Sequence, residues 1–235
     1  MTSSFLSGWA NSDEVFAVQK PWGYEYPILE TDQLGLWALF VNGGQSTSLH
    51  CHPKKKTGLA VVRGNVRVAF LNDSMLLGPT DRLMIRPGLF HSSTATDETG
   101  AILLEIETPR DKRDLVRLED QYGRKGLPYE SDDHVFLLPD ETKVFRKFQD
   151  LHRAPVLINE VEIRLRSYSQ HDQLENVSSK ATAIVVGGSL VANPGQEVLS
   201  TGDIVSVATI TRLWKSFDVC ESLNLLTLEK LSHSE

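Results

Sequence analysis

The chain has 235 residues, 40% of them hydrophobic, with 24 basic side chains against 31 acidic ones and a net charge of −7. That is enough apolar material for one large domain or two small ones. The acidic balance speaks against nucleic acid or an anionic membrane surface as a partner.

The opening stretch, MTSSFLSGWANSDEVF, has neither a basic leader nor a long apolar run. No signal peptide and no transmembrane span are expected, and the expected location is cytoplasmic. Cys51 and Cys220 stand far apart without metal-type spacing and are expected as buried, reduced thiols.

In chain order, KPWGYEY comes first. Trp22 and Tyr24 in it are expected to share one face of a strand, where they would plug a barrel end or stack on a sugar ring. Short apolar or alternating runs then recur: WALFV, GLAVV, VRVAFL, RLMI, AILLEIE, EIRLRSY, TAIVV, DIVSVATI and LNLLTLE. Turn clusters such as NGG, RGN, LND, RPG, GGS and ANPG separate them. Many short strands divided by Gly, Asn, Asp and Pro predict an all-β barrel or sandwich. The one helical expectation covers 110–122, RDKRDLVRLEDQY, where Asp114 and Arg117 are spaced to pair along a helix.

SLHCHPKKKTGLAVVRG, at 48–64, carries the first sign of chemistry. On a strand, residues two apart share a face, so His50 and His52 point one way and Cys51 the other. Two imidazoles on one side can chelate a divalent metal, and His91, in IRPGLFH, can join them from a neighbouring strand. Lys54, Lys55 and Lys56 follow the pair. They either gather an anion or keep a solvated loop soluble, and Arg86 and Thr57 are further substrate-binding candidates beside them. Arg117 and Arg124 either bind an anion or pair with neighbouring acids. Glu105 and Glu107, on LLEIE, share parity and are candidates for a catalytic base. Solvent-facing charges on a barrel strand are the alternative for both.

The chain also echoes itself. AVVRGNVRVAFLNDSMLLGPTDRLMI at 60–85 is similar to AIVVGGSLVANPGQEVLSTGDIVSV at 183–207, aligning Gly64 with Gly188 and Asp81 with Asp203. This predicts two stacked barrels from a duplicated unit, the alternative being a chance likeness between two β-hairpins. His50 then maps to Leu174, His52 to Asn176, Thr57 to Ala181 and His91 to Leu213, so the second unit is expected to hold no metal.

Gly44, His50, His52 and Gly64, followed by Asp81, Gly88 and His91, resemble the two motifs of the cupin superfamily. KPWGYEY and DLVRLEDQYGR, which flank them, resemble segments around the cupin domain of type II mannose-6-phosphate isomerases and of small cupins of polysaccharide biosynthesis. The resemblance covers 15 to about 126. Together with the internal echo it implies a bicupin, all-β, with two jelly-roll barrels: a metal-binding barrel at 1–126, a connector at 127–150 and a degenerate barrel at 151–235. It also implies a divalent metal (Zn, Fe, Ni or Mn) on His50, His52 and His91. The ligand set does not name the metal.

Three departures from the family pattern stand out. Thr57 occupies the place of the usual glutamate ligand, Arg86 that of a usual proline, and His50 a position that is commonly Gln in the isomerases. The implied function is metal-dependent, isomerase-like proton transfer on a sugar phosphate or related sugar derivative, in carbohydrate metabolism, by a homodimer. The alternatives are a three-histidine iron dioxygenase and a non-catalytic sugar-binding bicupin.

Overall fold

The computed structural model describes residues 14–127, 129, 134–142, 144–145, 148–193 and 195–231. The opening stretch, MTSSFLSGWANSDEVF, falls almost wholly outside them.

The first half is a two-sheet jelly roll. Its larger sheet runs β12-β1-β2-β3-β10-β5-β8. The strands are β1 (Phe16–Lys20), β2 (Gly23–Glu30), β3 (Gly35–Val41), β5 (Lys56–Arg63), β8 (Arg82–Ile85), β10 (Ala101–Thr108) and β12 (Val135–Leu137). All pairings are antiparallel. β12 is drawn from the stretch expected to be a connector and extends the sheet at β1.

Facing this sheet are β4 (Leu49–Cys51), β6 (Val66–Ala69), β7 (Ser74–Leu77), β9 (Ser92–Ala95) and β11 (Val116–Glu119). β7, β6 and β9 pair in that order. The bridges Ser46↔Thr94 and His50↔His91 then carry the ladder from the β9 side to β4, and β11 covers the far edge of β4.

Strand alternation divides the first half's apolar residues between two cores. Trp37, Leu39, Leu59, Val61 and Leu103 fill the space between its sheets. Leu36, Ala38, Ala60, Ile102, Leu104 and Ile106 point the other way. They meet Val161, Ile163, Leu165, Ile184, Leu226 and Leu228 of the second half. The central strands are therefore buried on both faces, which is why they read as continuous apolar runs.

The second half is a sheet in the order β13-β14-β18-β15-β16, with β17 also paired to β15. Its strands are β13 (Val156–Ile158), β14 (Val161–Tyr168), β15 (Thr182–Asn193), β16 (Gln196–Leu199), β17 (Ile204–Ser206) and β18 (Asp218–Lys230). Its outer face, with Ala183, Val185, Leu223 and Leu225, is covered by helix α1 (Val207–Trp214) and a 3-10 turn at His171–Leu174.

The sequence echo reappears in the hydrogen bonds. Val61 N–H donates to the Asp81 carbonyl (3.0 Å) and Thr80 N–H to the Val61 carbonyl (2.8 Å). Val185 N–H donates to the Asp203 carbonyl (2.9 Å) and Gly202 N–H to the Val185 carbonyl (2.8 Å). Each aspartate caps its turn: Gly78 N–H donates to Asp81 Oδ2 (2.8 Å), Ser200 N–H to Asp203 Oδ2 (2.7 Å). Gly64 and Gly188 both have positive φ, 75° and 81°. The regions corresponding to the two histidine-bearing segments have become the 3-10 turn, which contains Leu174, and α1, which contains Leu213. At the matched positions, Leu174, Asn176 and Leu213, the second half carries no imidazole.

Three expectations are corrected. Residues 110–122 are not helical: Val116, Arg117 and Glu119 pair with Cys51, His50 and Leu49. Val116 is exposed and Arg117 buried there. Trp22 and Tyr24 do not share a face. Gly23 between them has φ +146°, which sends Trp22 into the inter-sheet core and Tyr24 toward the other core, stacked on Phe40 at 4.5 Å. Cys51 is buried but Cys220 is exposed.

Candidate metal centre

His50 and His91 lie directly opposite each other. Each donates its backbone N–H to the other's carbonyl, at 3.0 and 2.8 Å. His52, two residues along, accepts Gly88 N–H at its carbonyl (2.8 Å). The ring centroids are 4.5 to 5.6 Å apart. One ligand atom from each ring lies within 4.8 Å of the other two.

The opposite ring nitrogens are already engaged. His50 Nδ1 meets the Ser48 carbonyl (2.7 Å), His52 Nδ1 the Asp114 carbonyl (2.6 Å) and His91 Nδ1 the Leu89 carbonyl (3.0 Å). A carbonyl can only accept, so each Nδ1 carries the proton and each Nε2 keeps its lone pair. Carbonyl support of this kind orients metal-ligating histidines. Among the described residues, His52 Nε2 and His91 Nε2 are buried without a hydrogen-bond partner, which is costly unless something binds them.

Burial pushes all three imidazoles below their ordinary range. His52 is held at about 3 by burial, with the Lys55 charge adding to it. All three are therefore neutral near pH 7, the form that binds a metal. The donor set fits a divalent cation held by His50, His52 and His91, and three neutral nitrogens suit Zn, Fe or Ni better than Mn without selecting among those three.

A cavity opens beside His50 and His52. Its wall includes Lys20, Glu25, Lys55, Glu105, Glu107, Lys112, Arg117, Arg124 and Tyr129. Glu105 and Glu107 share parity with Leu103 and so face the barrel interior, not solvent. Lys55 Nζ contacts Glu107 Oε1 at 2.9 Å, and Lys112 Nζ reaches the same oxygen at 3.1 Å. Lys112 also meets Glu25 (3.5 Å), Lys20 meets Glu25 (3.6 Å), and the Tyr129 hydroxyl donates to Glu25.

The two glutamates separate electrostatically. Burial alone would raise Glu107, but Lys112 and Lys55 outweigh it and hold the carboxyl at about 2. Burial raises Glu105 to about 8 against the pull of Lys112, with Glu107 and Glu25 adding repulsion. Paired carboxyls pushed apart in this way are a common acid–base arrangement.

The lysine triplet divides. Lys55 is buried in the site, whereas Lys54 is exposed and Lys56 turns away to Asp203 of the second half (2.7 Å). Lys56 opens β5, whereas Lys54 lies in the bend before it and Lys55 at the junction. Asp114 fixes the loop by accepting both Lys54 N–H and Lys55 N–H at 2.9 Å. Thr57 is buried, paired across the strands with Glu107, and absent from the cavity wall. Arg86 sits in an exposed turn, also away from that wall.

Arg117 and Arg124 do line the cavity. Arg117 donates to the Leu127 carbonyl (2.6 Å) and Arg124 to Asp120 (2.7 Å). Sequence reasoning missed Lys20, Glu25 and Lys112 altogether. The alternation of Glu25 along β2 was a usable signal, but Lys112 lies beyond a strand end, over the Trp37 ring at 3.7 Å, where no periodicity reaches.

No family model matches the chain. A mannose-1-phosphate guanylyltransferase, ManC, of Salmonella typhimurium is 28% identical over 109 residues, which is 46% of this chain and 23% of that protein. The mannose-1-phosphate guanylyltransferase of Escherichia coli K12 gives the same figures. The chain thus spans about a quarter of the length of these curated relatives.

Among solved structures, a Klebsiella pneumoniae protein with a double-stranded β-helix domain is 18% identical. It matches 41% of this chain and 84% of its own, with a TM-score of 0.38. The capsular polysaccharide assembling protein CapF of Staphylococcus aureus is also 18% identical, over 45% of this chain and 34% of its own, with a TM-score of 0.41. No helix among the described residues is long and apolar enough to cross a membrane.

Proposed function

Starting from a cupin fold with three converging histidines, we propose that the chain is a metal-dependent enzyme acting on a sugar phosphate or a related anionic sugar. The reaction is an isomerase-like proton transfer between adjacent carbons. The observation that carries this reading is one cavity in which two of the three imidazoles and Glu105 meet a cationic wall. In a chain of net charge −7, that wall holds Lys20, Lys55, Lys112, Arg117 and Arg124 against the ionised Glu25 and Glu107. Such a wall favours an anionic substrate.

When bound, a divalent metal supplies Lewis acidity toward a substrate carbonyl or hydroxyl. Glu105 is the group that moves the proton. Its carboxyl, raised to about 8, exchanges protons near neutral pH, taking one from the hydroxyl-bearing carbon beside the carbonyl and returning it to the former carbonyl carbon, while the hydroxyl proton passes to the former carbonyl oxygen. Glu107 stays ionised and fixes Lys55 and Lys112. Lys20, Arg117 and Arg124 orient the anionic group.

Among the described residues the histidine cluster includes no carboxylate, which favours one second reading, an iron centre that activates oxygen.

Two measurements test the proposal. Metal content is determined on wild type and His52→Ala purified in parallel, and hexose phosphates are incubated in D2O with wild type and Glu105→Gln. Stoichiometric metal lost in His52→Ala, with deuterium entering the carbon beside the carbonyl only when Glu105 is present, supports the isomerase. Bound iron with oxygen uptake selects the second reading. A wild type that takes up no metal even on reconstitution overturns both and leaves a sugar-binding module.

A further inference from the structure

The ends of β5 and β10 carry the site's central ion pair on one face and a grip by the second half on the other. Lys55 and Glu107 point into the cavity. The next residues, Lys56 and Thr108, are direct cross-strand partners, and both are met by a single turn of the metal-less half. Asp203 Oδ1 takes Lys56 Nζ at 2.7 Å. Gly202 is pressed so closely on Thr108 that a Cβ there would lie 2.0 Å from Thr108 Oγ1.

Further contacts fix the same edge. Thr182 Oγ1 donates to the Thr80 carbonyl at 2.5 Å, and Arg82 Nη1 donates to Thr182 Oγ1 at 3.1 Å. Ile204 packs on Gly58. Asp203 is the duplicate of Asp81, and each caps its own turn through Oδ2. Only Asp203 has a second use, placing Oδ1 on Lys56.

We infer that the Gly202–Asp203 turn is a positioning element for the metal site: by holding Lys56 and Thr108, Asp203 sets the register and approach of Lys55 and Glu107 across the adjoining strand ends. The role assigned to that ion pair rests on the proposed function, whereas the mechanical coupling does not. Asp203 touches no cavity atom and is a positioning residue.

The test follows the Lys55 side-chain ammonium by 1H–15N NMR in the full chain with chelator present, so that neither metal nor substrate enters the result. Glu107→Gln identifies the signal of the broken pair. Asp203→Asn and Lys56→Met are expected to speed hydrogen exchange of the Lys55 ammonium by about tenfold. The double variant should do no more than either single one. Asp203→Glu should retain slow exchange. Asp81→Asn, the same substitution at the matching turn, which does not touch Lys56, should leave the signal unchanged. Unaltered Lys55 exchange in Asp203→Asn, or an equal effect from Asp81→Asn, overturns the inference. A positive result beside a chain that turns over no sugar phosphate would leave the coupling standing and remove the proposed function.

Discussion

Lys55 and Glu107 are joined at 2.9 Å with each side chain only about 1% exposed. A buried ion pair adds little net stability, but removing one partner strands the other charge. Lys55→Met is therefore expected to destabilise the fold by about 3 kcal/mol in denaturant unfolding, with Lys112, 3.1 Å from the same oxygen, limiting the loss. Replacing both partners by apolar residues should cost clearly less than the sum of the single changes. An additive double variant would show that the two side chains are not coupled.

Glu105 gives stability a pH dependence of definite sign. Its folded value, about 8, lies above its ordinary value of 4.5. Between those limits the native chain holds a proton that the unfolded chain has released, so stability falls as pH rises through the window. Glu105→Gln should remove this fall and be more stable than wild type near pH 8.5, by on the order of 1–3 kcal/mol after solvent screening. Glu107, held at about 2, acts oppositely, and its contribution is lost as pH drops from 4.5 toward 2. Thermal melts of wild type and Glu105→Gln from pH 5 to 9 check this. Parallel curves would contradict a buried, raised Glu105.

A metal held by three imidazoles binds only the folded chain, because His91 lies about forty positions beyond the other two. At a free metal concentration of 100 times Kd, wild type should gain about 2.7 kcal/mol, seen as a higher melting temperature that EDTA reverses. His50→Ala, His52→Ala and His91→Ala should each lose most of that gain. A metal-induced shift that survives in His91→Ala would place the ion elsewhere.

Much of this was legible in the sequence because it is written in backbone rules. His50 and His52 share a face by strand parity, His91 follows a glycine turn, and Gly64 and Gly188 recur at matched places in the echo. The charged wall was legible only in part: Lys55, Arg117 and Arg124 stood out as candidates, whereas Lys20, Glu25 and Lys112 did not. Glu105 and Glu107 have a parity that fits either the barrel interior or solvent, and only the identity of the neighbouring layer decides. Lys54, Lys55 and Lys56 look equivalent as a run, yet the first is exposed, the second enters the site and the third is taken by Asp203. The 110–122 segment has helix-compatible charge spacing, but pairing with β4 overrides that local preference. Such tertiary choices lie beyond local pattern.

The paired glycines permit a test of the duplication itself. Gly64 and Gly188 both have positive φ, and both lie hard against a carbonyl of the strand or turn beside them. An added Cβ would come within 2.5 Å of the Gly100 oxygen and 1.8 Å of the Ser222 oxygen, respectively. Backbone atoms cannot swing aside, so strain and collision combine. Gly64→Ala and Gly188→Ala are each expected to cost at least about 2 kcal/mol. Gly44→Ala separates the two causes. Its φ is +72° but nothing lies within 4 Å of the added atom, so conformational strain alone, about 1 kcal/mol, should appear there. Equal losses at all three positions would mean that φ alone sets the cost, and that close approach of the two hairpins to their neighbours is not the shared requirement of the halves.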